Sequence, residues 1–283
     1  MRQSNTTFAA LLGGALLTAL PPTGFAQILK SDTPAVKAAD DAAPVSWTLQ
    51  HKRGEKKQFR AQATIVGNSG QDQITLVLKT VQRREISKVE TTGGLNWIST
   101  PISQSLTFNG QEIPDKAAKF VTMTVVNDNG VVTDLKAGDN GKGGDTLQEF
   151  SAVMTSTPVP PKPVKVGDTW TGDFSGKVFK GRKFLVTYTY LGREMLLGKN
   201  TYKMKAQGDL PINTEEKDLT KMTGAINIDP DSGDAIHTVY RAENLDLATP
   251  GGSVLKVTAD SETTAIIPGV NDKDETKKGD AQK

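Results

Sequence analysis

Two histidines, His51 and His237, are the first candidates for chemistry in a chain of 283 residues without cysteine. A metal site needs three or four clustered ligands, and a nucleophilic triad needs a histidine beside a placed serine and acid. Each histidine has the alternating neighbours of a strand, and no spacing joins the two. Both read as ordinary strand histidines, and neither a metal nor any other cofactor is expected. The stretch Asp229-Pro230-Asp231-Ser232-Gly233-Asp234 begins like a calcium loop. Such a loop requires glycine at its sixth position and glutamate at its twelfth, where this chain has Asp234 and Tyr240. A hairpin turn is the better reading, and Asn127-Asp128-Asn129-Gly130 is read the same way.

Nucleophile and phosphate motifs fare no better. Ser253-Val254-Leu255-Lys256 matches S-x-x-K, but in a strand an odd step of three puts Ser253 and Lys256 on opposite faces. Gly138 to Gly144 contains Lys142 yet lacks the spacing of a phosphate-binding loop. Carboxylates are too numerous for any pair to be chosen by sequence, so no catalytic residue is assigned and no enzyme is expected. The basic runs His51-Lys52-Arg53 with Lys56-Lys57, and Lys177 to Lys183, read as charge at hairpin ends that blocks edge-to-edge association. A patch for acidic polymers or anionic head groups is the other reading. Formal net charge is +2, from 34 basic and 32 acidic residues, which exerts no general pull on nucleic acid.

The elements that must position these residues are mostly strands. Phe59, Ala61, Ala63 and Ile65 alternate with polar neighbours, and Gly67 to Gly70 reads as a turn. Ile74, Leu76 and Leu78 share the next face, and Arg83 to Thr92 reads as a polar edge strand. Asn109-Gly110 and Asn127 to Gly130 mark hairpins. One helix interrupts: Asp145 can cap it, and Leu147, Phe150 and Met154 form a single apolar stripe that must dock on a sheet. Pro158, Pro160, Pro161 and Pro163 then impose a stiff, extended connector. Beyond it Phe184, Val186, Tyr188 and Tyr190 share one face, followed by Tyr202, Met204 and Ala206. Val45-Ser46-Trp47-Thr48 is echoed by Asp168-Thr169-Trp170-Thr171, and a turn at Gly130 by one at Gly233. The fold class is therefore mainly β: curved antiparallel sheet, half-barrel-like, with one short helix and two pseudo-repeated lobes, 45–157 and 168–268, joined by the connector 158–167. Whether the lobes form one sheet or two is left open.

The ends predict the compartment. Arg2, the apolar run Phe8 to Leu20, and small residues before Gln27 fit a signal peptide over 1–26, cleaved between Ala26 and Gln27. The alternative is a membrane anchor, but a helix of that run would reach only about 20 Å across a hydrocarbon core of roughly 30 Å. Residues 27–44 read as a flexible spacer and 269–283 as a disordered, charged tail. An exported chain without disulfides suits a bacterial envelope, periplasmic or extracellular, and it is not expected to span the membrane.

The order of a short helix, then Pro160-Pro161-Lys162-Pro163-Val164-Lys165-Val166-Gly167-Asp168-Thr169-Trp170, then amphipathic strands resembles a group of uncharacterised exported bacterial β-rich proteins. Their sheets are similar to the half-barrel of periplasmic lipoprotein carriers, in which a curved antiparallel sheet wraps a short helix. The resemblance covers Leu147 to Thr171 in detail and the remainder in strand pattern only, and it supplies no catalytic residues. It implies a non-catalytic envelope protein binding a lipid or another apolar or amphipathic ligand. Trp47, Phe59, Phe184 and Tyr188 are the candidate ligand-lining residues, the other reading of Trp47 and Trp170 being that they anchor the starts of equivalent strands in the core. A structural or interaction module that partners another envelope protein is the alternative. The small side chains Ala61 and Ala63 beside Phe59 favour space over solid packing.

Overall fold

Alternation of apolar and polar residues carries the chain into long strands. The computed structural model describes residues 43–113, 121–137, 145–215, 217–248 and 253–272. The segment expected as a leader, the expected cleavage point at Ala26 and Gln27, most of the expected spacer, residues 138–144 and residues 273–283 lie outside these. The strands are β1 (Lys56–Ser69), β2 (Asp72–Val89), β3 (Leu95–Phe108), β4 (Gln111–Ile113), β5 (Thr122–Val126) and β6 (Val132–Ala137). After α1 (Asp145–Thr155) come β7 (Thr169–Phe174), a one-turn 3-10 helix (Lys177–Phe179) and β8 (Phe184–Leu196). The set is completed by β9 (Lys199–Leu210), β10 (Thr220–Ile228), β11 (Ala235–Ala248) and β12 (Val254–Ile266). Phe59, Ala61, Ala63 and Ile65 are buried as their period-two spacing requires, and so are Phe184, Val186, Tyr188 and Tyr190.

All described strands belong to one antiparallel sheet, in the order β6-β5-β3-β2-β1-β12-β11-β10-β9-β8-β7, with β4 appended to β3. The two halves therefore share a single sheet, stitched where β1 pairs with β12 from Gln58↔Ile266 to Gly67↔Val257. The sheet curls into a nearly closed barrel whose one seam lies between its end strands, β6 and β7. Register shifts at Val81/Gln82, Ile86/Lys88, Tyr190/Gly192 and Ala242/Leu245 provide the bends, because a bulged strand kinks and twists more strongly.

Two local expectations need correction. Arg83 to Val89 continues β2 and pairs with β3 almost throughout, and Arg83 to Glu85 are also paired with β1, so this part is no edge. Of its polar residues Arg84 faces a cavity, as shown below, whereas Arg83 and Lys88 are exposed. The turn expected over Gly67 to Gly70 falls instead at Gly70-Gln71, with Gly70 at φ +68°. Gly67 lies within β1 because β12 is close: a Cβ there would sit 2.7 Å from Val257 Cγ1. The Asn109-Gly110 turn stands as read, both residues having positive φ (48° and 80°) and joining β3 to β4.

The helix is buried by more than the expected stripe. Besides Leu147, Phe150 and Met154, the side chains of Glu149, Ser151, Ala152 and Val153 are buried. The sheet curves around α1, which packs against β6, β11 and the 3-10 turn. A carboxylate on such a helix requires a partner, and Glu149 is paired with Arg182. Arg182 also donates to the carbonyls of Pro211 (2.6 Å) and Phe179 (3.4 Å), so one guanidinium fixes the helix to the loop beyond β9.

The two tryptophans matched between the halves are in contact. Trp47 and Trp170 meet edge to face, with centroids 5.7 Å apart. Trp47 itself lies in an extended segment outside the sheet, anchored by the bridge Val45↔Val164. This segment runs over the β10–β11 hairpin, and the connector runs in the same way over the β5–β6 hairpin. At Gly233 a Cβ would fall 2.4 Å from the Thr48 oxygen, and at Gly130 it would fall 2.2 Å from the Thr157 oxygen. The connector further accepts a bond from Trp170 Nε1 at the Pro158 carbonyl (3.3 Å) and so ties the β5–β6 hairpin to β7.

Replacing Arg182 by Met leaves a buried carboxylate alone, which costs about 3–5 kcal/mol. Denaturant unfolding of R182M should show that loss, and the double variant with Glu149→Gln should recover most of it. A loss below about 1 kcal/mol, the size of an exposed pair, would refute this anchoring role.

Candidate functional site

The concave face does not close completely on α1. A cavity of about 100 Å³ remains, walled by β11, β12, β1, β2, β3 and β5, with the helix residues Ser151, Met154 and Thr155 along one side. Its lining mixes two chemistries. Phe59, Trp97, Val126 and Leu135 supply apolar surface, whereas Thr80, Ser99, Thr124, Thr238 and Ser261 supply hydroxyls. Period two explains the mixture: Thr80, Gln82, Arg84 and Ile86 continue on β2 the inward face begun by Leu76 and Leu78.

Arg84 is the unusual member. Its Cζ lies 4.4 Å from the Phe59 ring centroid and 4.2 Å from that of Trp97, so the guanidinium packs on two aromatic rings. The side chain is half-buried. Its Nε is sealed from solvent and has no hydrogen-bond partner among the described residues. Burial pulls its pKa below the usual arginine value, partly offset by the negative charge of Asp234. Gln104 Nε2, also at the cavity, is likewise buried and unpartnered.

Asp234 has partners of its own. It takes the Lys57 ammonium, and His51 Nε2 lies 3.3 Å from its Oδ1. Lys57 also reaches Glu55 at 2.9 Å, and His51 Nδ1 lies 3.3 Å from that carboxylate. His51, Glu55 and Asp234 thus bring three metal-type ligand atoms within 4.8 Å of one another. The ammonium of Lys57 bonds both carboxylates, so the group is a salt-bridge network. Burial alone would raise the Glu55 carboxyl, but Lys57 and the Lys52 N–H outweigh it and hold the carboxyl below its ordinary value. Burial alone would lower Lys57, and Asp234 with Glu55 raises it instead. His51 therefore lies outside the strands expected for it, in the loop before β1, whereas His237 does lie in β11 beside Glu262 (3.0 Å).

Of the aromatic residues singled out in the sequence, Phe59 borders the cavity. Trp47, Phe184 and Tyr188 are packed elsewhere in the core. Trp47 contacts Trp170 and Tyr202, Tyr188 stacks on Trp170 (5.7 Å), and Phe184 stacks on Phe174 (5.5 Å). The Tyr188 and Tyr240 hydroxyls are buried without partners among the described residues, and burial raises both phenols. The basic runs divide: Lys57 and Arg182 turn inward to carboxylates, while Lys52, Arg53, Lys177 and Lys183 stay exposed. Arg84, Trp97 and Gln104 were not singled out by sequence reasoning. Extending the alternation from Leu78 to Ile86 would have set Arg84 on the inward face.

No protein-family model and no curated protein matches the sequence. Among solved structures, the chain is similar to lipovitellin, in a structure concerned with its lipid–protein interactions, at 10% identity and a TM-score of 0.45. That match covers 77% of this chain, which spans only 26% of lipovitellin's. A second similarity, at 10% identity and a TM-score of 0.27, is to a Bacteroides fragilis protein described as exported with a YmcC-like fold. It covers 78% of this chain and 98% of that one. No helix among the described residues is long and apolar enough to cross a membrane.

The salt-bridge network predicts an acid dependence. Glu55 titrates lower in the folded state, so its stabilisation is complete above its ordinary value of 4.5 and is lost as pH falls through the folded value. Glu55→Gln should melt below the parent at neutral pH, and the gap should close on acidification to about pH 2. A gap independent of pH would contradict the assignment.

Proposed function

We propose that this chain is a non-catalytic, exported protein of the bacterial envelope that holds a small apolar or amphipathic ligand between α1 and the concave face of its barrel-like sheet. The observation that carries this reading is the cavity, which persists beside a core whose aromatic residues pack against one another. Ligand pockets usually measure about 300–1,000 Å³. A cavity near 100 Å³ therefore suits a short ligand, or one end of a longer one. A protein-interaction module of the envelope is the second reading. It is favoured by Leu185, Leu191 and Met195, large apolar side chains left exposed along β8.

Native mass spectrometry of protein exported in a bacterial host tests the choice. The ligand reading expects an added mass that organic extraction removes and that Ser99→Phe, which fills the cavity, abolishes without unfolding the chain. A bare mass in both proteins would reject it and leave the interaction module.

A further inference from the structure

We infer that the cavity is built for a ligand bearing a carboxylate, received by the guanidinium of Arg84, with Gln104 as a second donor elsewhere along the same cavity; this rests on the ligand-binding reading above. The Arg84 Cζ packs on the rings of Phe59 at 4.4 Å and Trp97 at 4.2 Å, contacts that leave its N–H groups to bond elsewhere. Arginine carries five donors and no acceptor, and burying a donor without a partner is unfavourable. Arg84 Nε has no partner among the described residues, and neither does Gln104 Nε2. Two unmet donors at one cavity specify a ligand that brings acceptor oxygens. Aromatic stacking keeps the fork rigid, which suits the planar, two-oxygen geometry of a carboxylate.

The surrounding charges narrow the class. The cavity lining contains one carboxylate, Asp234, whose charge acts on Arg84. Its oxygens are engaged by Lys57 and His51, with Ser232 Oγ at 3.5 Å, and it forms no hydrogen bond to Arg84. Glu55 lies behind it on the same lysine. Arg84 and Lys57 together balance Asp234 and Glu55, so a dianion would be opposed more strongly than a monoanion and the smaller charge is the better fit. Beside the guanidinium, Phe59 and Trp97 offer apolar surface for a short hydrocarbon portion, while the hydroxyls of Thr80 and Ser99 lie along the same wall. The ligand class is a short amphipathic monocarboxylic acid, or the carboxylate end of a longer one.

Calorimetric titration of the full chain with hexanoate, hexanamide and 1-hexanol tests this. Hexanoate should bind about ten- to a hundredfold tighter than either neutral analogue, the range expected for hydrogen bonds to a charged group. Arg84→Met should erase that preference and leave the chain folded, with about a few degrees at most lost from the melting temperature for its contacts with Phe59 and Trp97. Gln104→Leu should weaken hexanoate selectively by a smaller factor. Equal binding of all three compounds would overturn the carboxylate inference and leave the ligand reading intact. Failure of all three to bind overturns the inference as well. The ligand reading itself then falls only if the mass-spectrometric test also finds bare protein. A collapse in melting temperature for Arg84→Met would make Arg84 a structural residue and likewise overturn the inference.

Discussion

The pairing of β1 with β12 is the constraint on which the rest of the structure depends. It brings the first and last strands of the described sheet together in its middle, with β2 on the other side of β1 and β11 on the other side of β12. The strands near the chain's midpoint, β6 and β7, are thereby left as the two edges. An exposed sheet edge invites unwanted pairing. Here the edges face each other across a seam, and the connector after α1 bonds to the β5–β6 hairpin and to Trp170 of β7. The close approach that permits this pairing relies on small residues, with Gly67 lying directly against Val257.

Inside the curled sheet, the two sides pack by different rules. Towards β7 to β9, aromatic rings interlock: Trp47, Trp170 and Tyr188 in one group, and Phe174, Phe179 and Phe184 in another. Towards β1 to β3, threonines, serines, a glutamine and an arginine replace them on the inward face. Short polar side chains do not interdigitate as rings do, and Phe59 packs with Ile236 and Ala265 in a small cluster separate from the main core. The cavity lies on this more polar side, away from the interlocked rings. Its charged members are arranged differently: Asp234 is engaged by Lys57 and His51, whereas Arg84 packs on two rings and feels Asp234 only through its charge.

Buried charge also explains how the helix keeps its place. Glu149 could not lie on a helix enclosed by sheet without Arg182, and Arg182 in turn answers to carbonyls beyond β9. Glu149 meets Arg182 through its Oε2, whereas Arg84 Nε meets no hydrogen-bond partner among the described residues. That contrast separates an arginine that maintains the fold from one available to a ligand.

The sequence by itself determined the class of fold, because side-chain alternation is a local property. Phe59 to Ile65 and Phe184 to Tyr190 declare their inward faces without reference to any other strand. Asn109-Gly110 likewise declares its turn through two residues that tolerate positive φ. Only the tertiary structure decided that both halves form one sheet, since β1 and β12 are separated by most of the chain and their pairing leaves no local mark. It also decided the environment of Arg84. A polar residue on an alternating strand reads as solvent-facing until the strands on either side are known, and here those strands bring Phe59 and Trp97 against it.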